Sequence, residues 1–421
     1  MTGHRTAGGR MLLVIVVLAI NLRTVIASLP PLLSYVRHDL GLSATAGGLL
    51  TTVPVLLFGI LAPAAPWLGR RIALERLIAL CTAVTAAAAL LAWAGTTPAL
   101  FAACSLAGAA VALSQATMPT LIRMRFAESV GPITGAYSMA LPLGGALASA
   151  STVPIFHALG DRWAPALAVW ALPAAVALVL WAPVARHGRS TLHATAREPA
   201  RAEPLAWAVA GFFGVQSVVF YAALAWVPTI LRAKGYTAST AGLLQALNQL
   251  VSMGPAFLVP VLAVRMDSQL PLLLTGVATV SAGVVGLLVA PGAAPLWMVL
   301  FGLGQGTTLG LSFILPALRA RTPHGVAALT AMMLCVGFLL ASNGPWLLGS
   351  AHDLSGGWTA PLLVLLAAAL LELVPGIPAA RGGRRRREDA VPPDRAVGAA
   401  EVIDEQHVGE EVVRDLNGLR P

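Results

Sequence analysis

Charge is what this chain has least of. Only 11% of its 421 residues are Asp, Glu, Lys or Arg, while 57% are hydrophobic and the mean hydropathy is +0.80. A soluble protein of this length could not hide that much apolar surface, so a soluble fold is excluded. Cysteine is scarcer still. Cys81, Cys104 and Cys335 all fall inside apolar runs without metal-ligand spacing. They read as small side chains in helix packing, and no metal is expected. No apolar run carries paired carboxylates, a His cluster or a nucleophile–base pair, which argues against an enzyme. A Gly-rich phosphate loop with its Lys is also missing, so neither ATP-driven work nor a bound cofactor is expected.

What the chain does have is long apolar runs along nearly its whole length. Twelve are long enough to cross a bilayer: 11–34, 45–66, 72–94, 98–121, 131–155, 163–183, 205–231, 239–262, 270–290, 295–317, 326–350 and 358–378. Eleven further spans behind Met11–Ser28 make the first run a retained helix rather than a cleaved signal. The expected fold is all-α, integral to the membrane. The net charge of +9 does not point to nucleic acid. The basic residues alternate by loop. One side takes Arg5, Arg10, Arg70, Arg71, Arg76, Arg123, Arg125, the Arg residues of 184–204, Arg265, Arg319, Arg321 and the whole tail. The other takes Arg37, Arg162, Arg232 and Lys234. By the positive-inside rule the richer side is the cytoplasm, which puts both termini there and the protein in the plasma (inner) membrane.

The chain repeats itself. At an offset of 194 residues LSATAGGLL (Leu42–Leu50) meets YTASTAGLL (Tyr236–Leu244), Pro66 meets Pro260, and Arg71 meets Arg265. At an offset of 197, Pro98 meets Pro295, Leu106 meets Leu303 and Pro119 meets Pro316. Two pseudo-symmetric six-helix bundles follow, residues 1–183 and 205–378, joined by a cytoplasmic loop at 184–204. A polar tail at 379–421 is expected to be disordered, its Arg384–Arg387 cluster attracted to anionic lipid headgroups. Parallel six-helix repeats are the signature of major facilitator transporters, which hold solute between the halves near the bilayer midplane.

One cation breaks the apolar pattern. Arg23 lies about 18 Å into the first run, near the bilayer centre. A guanidinium costs at least about 3 kcal/mol at that depth and cannot lose its proton. Its counterpart in the second half is Ser217, beside Gln216. Arg23 is therefore not shared scaffold. Either it anchors an anionic or strongly polarised solute, or it bonds backbone carbonyls of neighbouring helices. Glu372 is the single acidic residue expected within a span.

The stretch NLRTVIASLPP, followed by DLGLS, GLLTTVPV and a proline-rich helix end with Gly69, Arg70 and Arg71, resembles the cyanate/2-nitroimidazole transporter family of the major facilitator superfamily. The ending ASNGPWLLGSAHDLSGGW (Ala341–Trp358) is similar too. The resemblance implies passage of a small solute through a membrane. One departure stands out: Pro66 and Trp67 occupy the places where the superfamily's gating loop carries an acid and a base, so its usual charged latch cannot form.

Other polar residues within the spans are candidates for solute contact or for interhelix hydrogen bonds. They are Asn21, Gln115, Tyr137, Gln216, Tyr221, Gln305 and Asn343, together with a stripe of Gln245, Asn248, Gln249 and Ser252 at i, i+3, i+4, i+7. That stripe is expected to line the pathway. His157 and Glu372 are the candidate proton carriers, the alternative for Glu372 being a carboxylate in headgroup water. The reading is a monomer moving a small anionic or polarised solute by alternating access. A drug-efflux antiporter with a wide aromatic cavity, and a non-transporting sensor of the same fold, are the alternatives.

Overall fold

A computed structural model describes residues 2–61, 63–126, 130–190, 203–320 and 323–381. Among them there is no strand. A long apolar segment in hydrocarbon must satisfy every backbone N–H and C=O within itself, and helices do so. Twelve helices are long and apolar enough to cross a membrane. Spans 1–6 are Met11–Leu40, Ala44–Leu61, Leu74–Ala94, Thr97–Ile122, Ile133–Ala158 and Trp163–His187. Spans 7–12 are Pro204–Ala233, Ala238–Arg265, Leu270–Val289, Pro291–Arg319, Ala328–Ser355 and Thr359–Ala380. Most ends match the sequence reading closely. Span 2 stops at Leu61 instead of residue 66, where Pro63 follows and a short helix, Ala64–Arg71, takes over. Span 6 runs on to His187, into the expected loop. Residues 2–380 belong to one compact unit and Arg381 to a second. The Arg384–Arg387 cluster and most of both the 184–204 loop and the tail lie outside the described residues.

The internal repeat reappears as packing. Gly108 of span 4 sits so close to span 2 that a Cβ there would lie 2.5 Å from the Cα of Pro54. At the same offset of 194, Gly302 of span 10 would bring a Cβ to 2.6 Å from the carbonyl oxygen of Asn248 in span 8. Gly144 of span 5 meets the Ile20 carbonyl of span 1, and Gly344 of span 11 meets the Val218 carbonyl of span 7. In lipid, where apolar side chains gain little by leaving their surroundings, small residues at such crossings let backbones approach and pack.

The first six and last six spans meet along spans 5 and 8 and spans 2 and 11. We call the side carrying Arg70, Arg71 and Arg125 the basic face. The contacts pinning span 5 to span 8 lie toward the opposite face. Gln249 donates to the Ser149 hydroxyl at 3.1 Å, and Gly242 lies under the Ser149 carbonyl. At that same face Asp353, at the end of span 11, caps the start of span 2. Its carboxylate accepts from the Ala44 and Thr45 amides at 2.9 and 2.6 Å and from the Thr45 hydroxyl at 2.6 Å. Unsatisfied amides at a helix start are natural carboxylate partners. Nearby, Arg232 of span 7 bonds the Ser34 hydroxyl and stacks on Tyr35 of span 1, 4.2 Å from its ring centre. A vestibule of about 860 Å³ opens here, lined in part by Arg37, Arg232, His352 and Trp358. Its floor is apolar: Leu33, Val36, Trp226 and Ile230 are buried beneath it.

The basic face corrects one expectation. Glu372 is not the only acid within a span, because Glu75 in the first turn of span 3 is fully buried. Its carboxylate meets Arg125 Nη2 at 2.9 Å and accepts from the Ser190 hydroxyl at 2.6 Å, while the Trp181 indole donates to its carbonyl at 2.8 Å. Glu75, through its side chain and its backbone carbonyl, so ties the start of span 3 to span 6 and to the segments just past spans 4 and 6. Arg71 stacks on Trp67, 4.2 Å from its ring centre, and Arg70 is exposed, whereas Gly69 is buried. The loop that has Pro66 in place of an acid is thus followed, one turn beyond Arg71, by a buried and paired carboxylate.

Two outcomes follow. Arg125→Ala strands a buried carboxylate, a loss of about 3 kcal/mol or more, so the purified protein should melt several degrees lower. Glu75→Gln should cost less, because Arg125 is one-third exposed and can find water; equal melting losses would refute this account. Asp353→Ala removes a cap of about 1 kcal/mol. A cysteine placed at buried Val36 should then react about five times faster with an impermeant maleimide from the opposite face, and an unchanged rate would mean the cap does not hold that face shut.

Candidate functional site

Arg23 projects from span 1 toward span 7. Its Nη1 donates to the Tyr221 hydroxyl at 3.1 Å, and the guanidinium carbon lies 5.9 Å from the ring centres of both Phe220 and Tyr221. The side chain faces protein, not lipid, and is half-buried. The ion pairs seen among the described residues lie elsewhere, at Glu75 and at His157. A hydroxyl and two ring faces therefore surround a permanent charge, and the rest of the planar donor fork is left for another partner.

Aromatic rings from three spans close around this point. Phe58 of span 2 and Phe338 of span 11 stand edge-on to each other at 5.4 Å, and each lies 6.3 Å from Tyr221. Phe220 and Tyr221 meet at 5.0 Å. Rings packed edge to face present both positive edges and negative faces, a surface suited to a flat conjugated guest. Phe58, Phe220 and Phe338 were not legible as site residues. Each is an ordinary apolar residue in its own span, and only the fold assembles them.

Tyr137 of span 5 lies within electrostatic reach of Arg23, and its buried hydroxyl has no partner among the described residues. Gln115 Nε2 is likewise buried without a partner. Gln216 donates to Gln305 at 3.3 Å, and Ser217 donates to Gln216 at 3.3 Å, while Gln305 Nε2 is unpartnered. The span 7–span 10 amide pair thus retains hydrogen-bonding capacity. Buried polar groups without partners are rare in settled interiors and mark places where a ligand can bind.

Several candidates turn out to hold helices together. Asn21 donates to the Val17 and Pro173 carbonyls at 3.2 and 2.9 Å, joining span 1 to span 6. The amide stripe of span 8 does not line one pathway. Asn248 donates to the Met298 carbonyl of span 10 at 3.2 Å, Gln249 crosses to Ser149, and Ser252 bonds its own helix. Gln245 Oε1, like Asn21 Oδ1, is buried without a partner among the described residues. Four residues at helical spacing span a wide arc, so two neighbouring helices divide them. Asn343 is exposed and donates back to the Leu339 and Leu340 carbonyls, away from Arg23. His157 is half-exposed at the opposite face, 2.6 Å from Asp161. Glu372 is completely buried within span 12.

The sequence pattern of the Major Facilitator Superfamily matches residues 11–342. The 2-nitroimidazole transporter of Escherichia coli K12 is 36% identical over 374 residues, covering 87% of this chain and 94% of that protein. The cyanate transport protein CynX of the same organism is 32% identical over 352 residues, covering 83% and 91%. In architecture the chain is similar to a bacterial homologue of the human lysosomal transporter Spinster in an inward-facing, occupied conformation. The TM-score is 0.72 at 14% identity, over 91% of this chain and 98% of that one. Helices, repeat and relatives agree: the chain belongs to the Major Facilitator Superfamily and is a membrane transporter, not an enzyme.

Proposed function

We propose that the protein carries a small, flat, anionic or strongly polarised solute, of the cyanate, nitroimidazole or organic-acid kind, by alternating access. The observation that carries this reading is Arg23, a charge that cannot be shed, held at mid-depth by a hydroxyl and aromatic rings instead of a carboxylate. The solute supplies the negative partner through charge-assisted hydrogen bonds to the guanidinium fork. Phe58, Phe220, Tyr221 and Phe338 flank its plane. Tyr137, Gln115 and the Gln216–Gln305 pair offer donors at its edge. Relatives named for 2-nitroimidazole and cyanate transport support a compact planar solute. The ring-to-ring packing at 5.0–6.3 Å leaves little room for the large apolar compounds of a drug-efflux antiporter.

The basic face is the cytoplasmic one, and both termini lie there, in the plasma membrane; the distribution of arginine supports this. The chain works as a monomer, without nucleic acid. Asp353 and the span 5–span 8 contacts hold the halves together toward the opposite face, and solute reaches Arg23 when the halves part on one side. It leaves on the other side once the halves rock about the site, and the cycle also runs in reverse.

Purified protein in liposomes tests the assignment. Arg23→Gln should lower uptake of cyanate, 2-nitroimidazole and small carboxylates by about 10–100-fold, the worth of a hydrogen bond to a charged group, while melting like the parent. Uptake equal to the parent's would remove Arg23 as the anchor. Tyr221→Phe, which frees the guanidinium from its internal partner, should change affinity by less than tenfold. A bound solute at about 100 times its Kd should stabilise the parent by about 2.7 kcal/mol, read as a rise in Tm absent from Arg23→Gln. Failure of every solute to move in the parent would favour the sensor reading.

A further inference from the structure

Glu372 is a carboxyl group without a partner. It is fully buried, and neither oxygen has a hydrogen bond among the described residues. It sits where span 12 breaks, between Thr359–Leu371 and Leu373–Ala380. Pro375 causes the break: it has no N–H to give the Leu371 carbonyl four residues earlier. The walls around it are apolar. On its own helix Leu365 and Ala369 are buried, and one turn on Gly376 packs against Leu273 of span 9 and Phe212 of span 7. Pro375 meets Gly211 of span 7.

Among the described residues no charge faces it from the helices packed on span 12. Span 9 has no titratable side chain. Span 7 has Tyr221, given to Arg23, and Arg232, given to Ser34 and Tyr35 at the opposite face. Span 11 has His352, stacked on Trp358, and Asp353, given to span 2, both at that same face. Toward the basic face, Arg319 Nε bonds the Ala379 carbonyl and its Nη2 the Gln269 side chain. That guanidinium is about two helical turns along from Glu372. An ionised carboxylate in such a place has nothing to offset its lost hydration, and the group avoids that cost by holding a proton.

We propose that Glu372 is the proton-binding site that couples solute movement to a proton gradient. This rests on the transport reading above. Span 7 is the link: one end of its sequence, at Gly211 and Phe212, packs on the broken segment of span 12, and Tyr221 holds Arg23. Movement of span 7 when solute fills the Arg23 site alters the packing over Glu372. Leu373–Ala380, about 12 Å long, separates Glu372 from the end of span 12 at the basic face. His157, half-exposed and paired with Asp161, is not required.

The full chain in liposomes tests this with cyanate and 2-nitroimidazole as probes. Parent protein should show a protonated-carboxyl infrared band at neutral pH that Glu372→Gln lacks. A gradient of one pH unit should drive up to about tenfold accumulation in the parent for one coupled proton. In Glu372→Gln that accumulation should vanish while solute exchange without a gradient stays within about twofold. A band unchanged in the variant, accumulation kept by the variant, or a parent that exchanges solute but ignores the gradient would each overturn the proposal. Should Glu372→Gln fail to fold, parent protein treated with an apolar carbodiimide, which attacks protonated carboxyls, should carry the adduct on the peptide holding Glu372; an unlabelled peptide overturns the proposal. If Arg23→Gln exchanges normally, the solute-site reading fails, and the band and the gradient response still decide on Glu372. If neither probe moves, the band and the adduct decide.

Discussion

A guanidinium in hydrocarbon keeps its charge at any accessible pH, and the structure is arranged around that constraint. Arg23 is brought to mid-depth on span 1, where only span 7 offers it a hydroxyl and ring faces. Cation–π contacts at nearly 6 Å and one hydrogen bond to a neutral hydroxyl lower the cost of burial without cancelling the charge. The halves of the chain consequently meet around an unneutralised positive centre. In the transport reading proposed above, a solute that carries negative charge completes an interaction for which the protein supplies one partner.

The buried ionisable groups resolve the same difficulty in different ways. Glu75 is paired and hydrogen-bonded, its charge spent with Arg125 and Ser190 on holding the start of span 3 to the segments just past spans 4 and 6 at the basic face. Glu372 is walled in by apolar neighbours and has no partner among the described residues. Arg23 has no counter-ion among the described residues and no means of neutralisation. A buried pair is a structural tie, an isolated acid can exchange a proton, and an isolated Arg can only recruit an anion.

Much of this was legible in the sequence. Spans follow from apolar length because lipid leaves the backbone no alternative, and the repeat is visible because paired crossings demand small residues at matched places, as at Gly108 and Gly302. Arg23 stood out since nothing else basic lies so deep. The amides were less readable. One periodicity describes both a pathway face and a seam between helices, so Asn248 and Gln249 looked alike although one bonds span 10 and the other span 5. Asn343 satisfied its own helix. Glu75 was missed because it begins its span, where acids are usually wet. The aromatic surround of Arg23 combines Phe58, Phe220 and Phe338 across almost three hundred positions of sequence, a grouping that no local pattern announces.

The carboxylate of Asp353 does one further thing by virtue of where it is. Its carboxylate is exposed, whereas in the helix it caps Ala44 is buried and Thr45 half-buried. When that face opens, water takes over both the freed acid and the uncapped amides, and little free energy is lost. A fastening that dissolves into solvent can be undone again and again, and this cap adds only about 1 kcal/mol to the other contacts at that face.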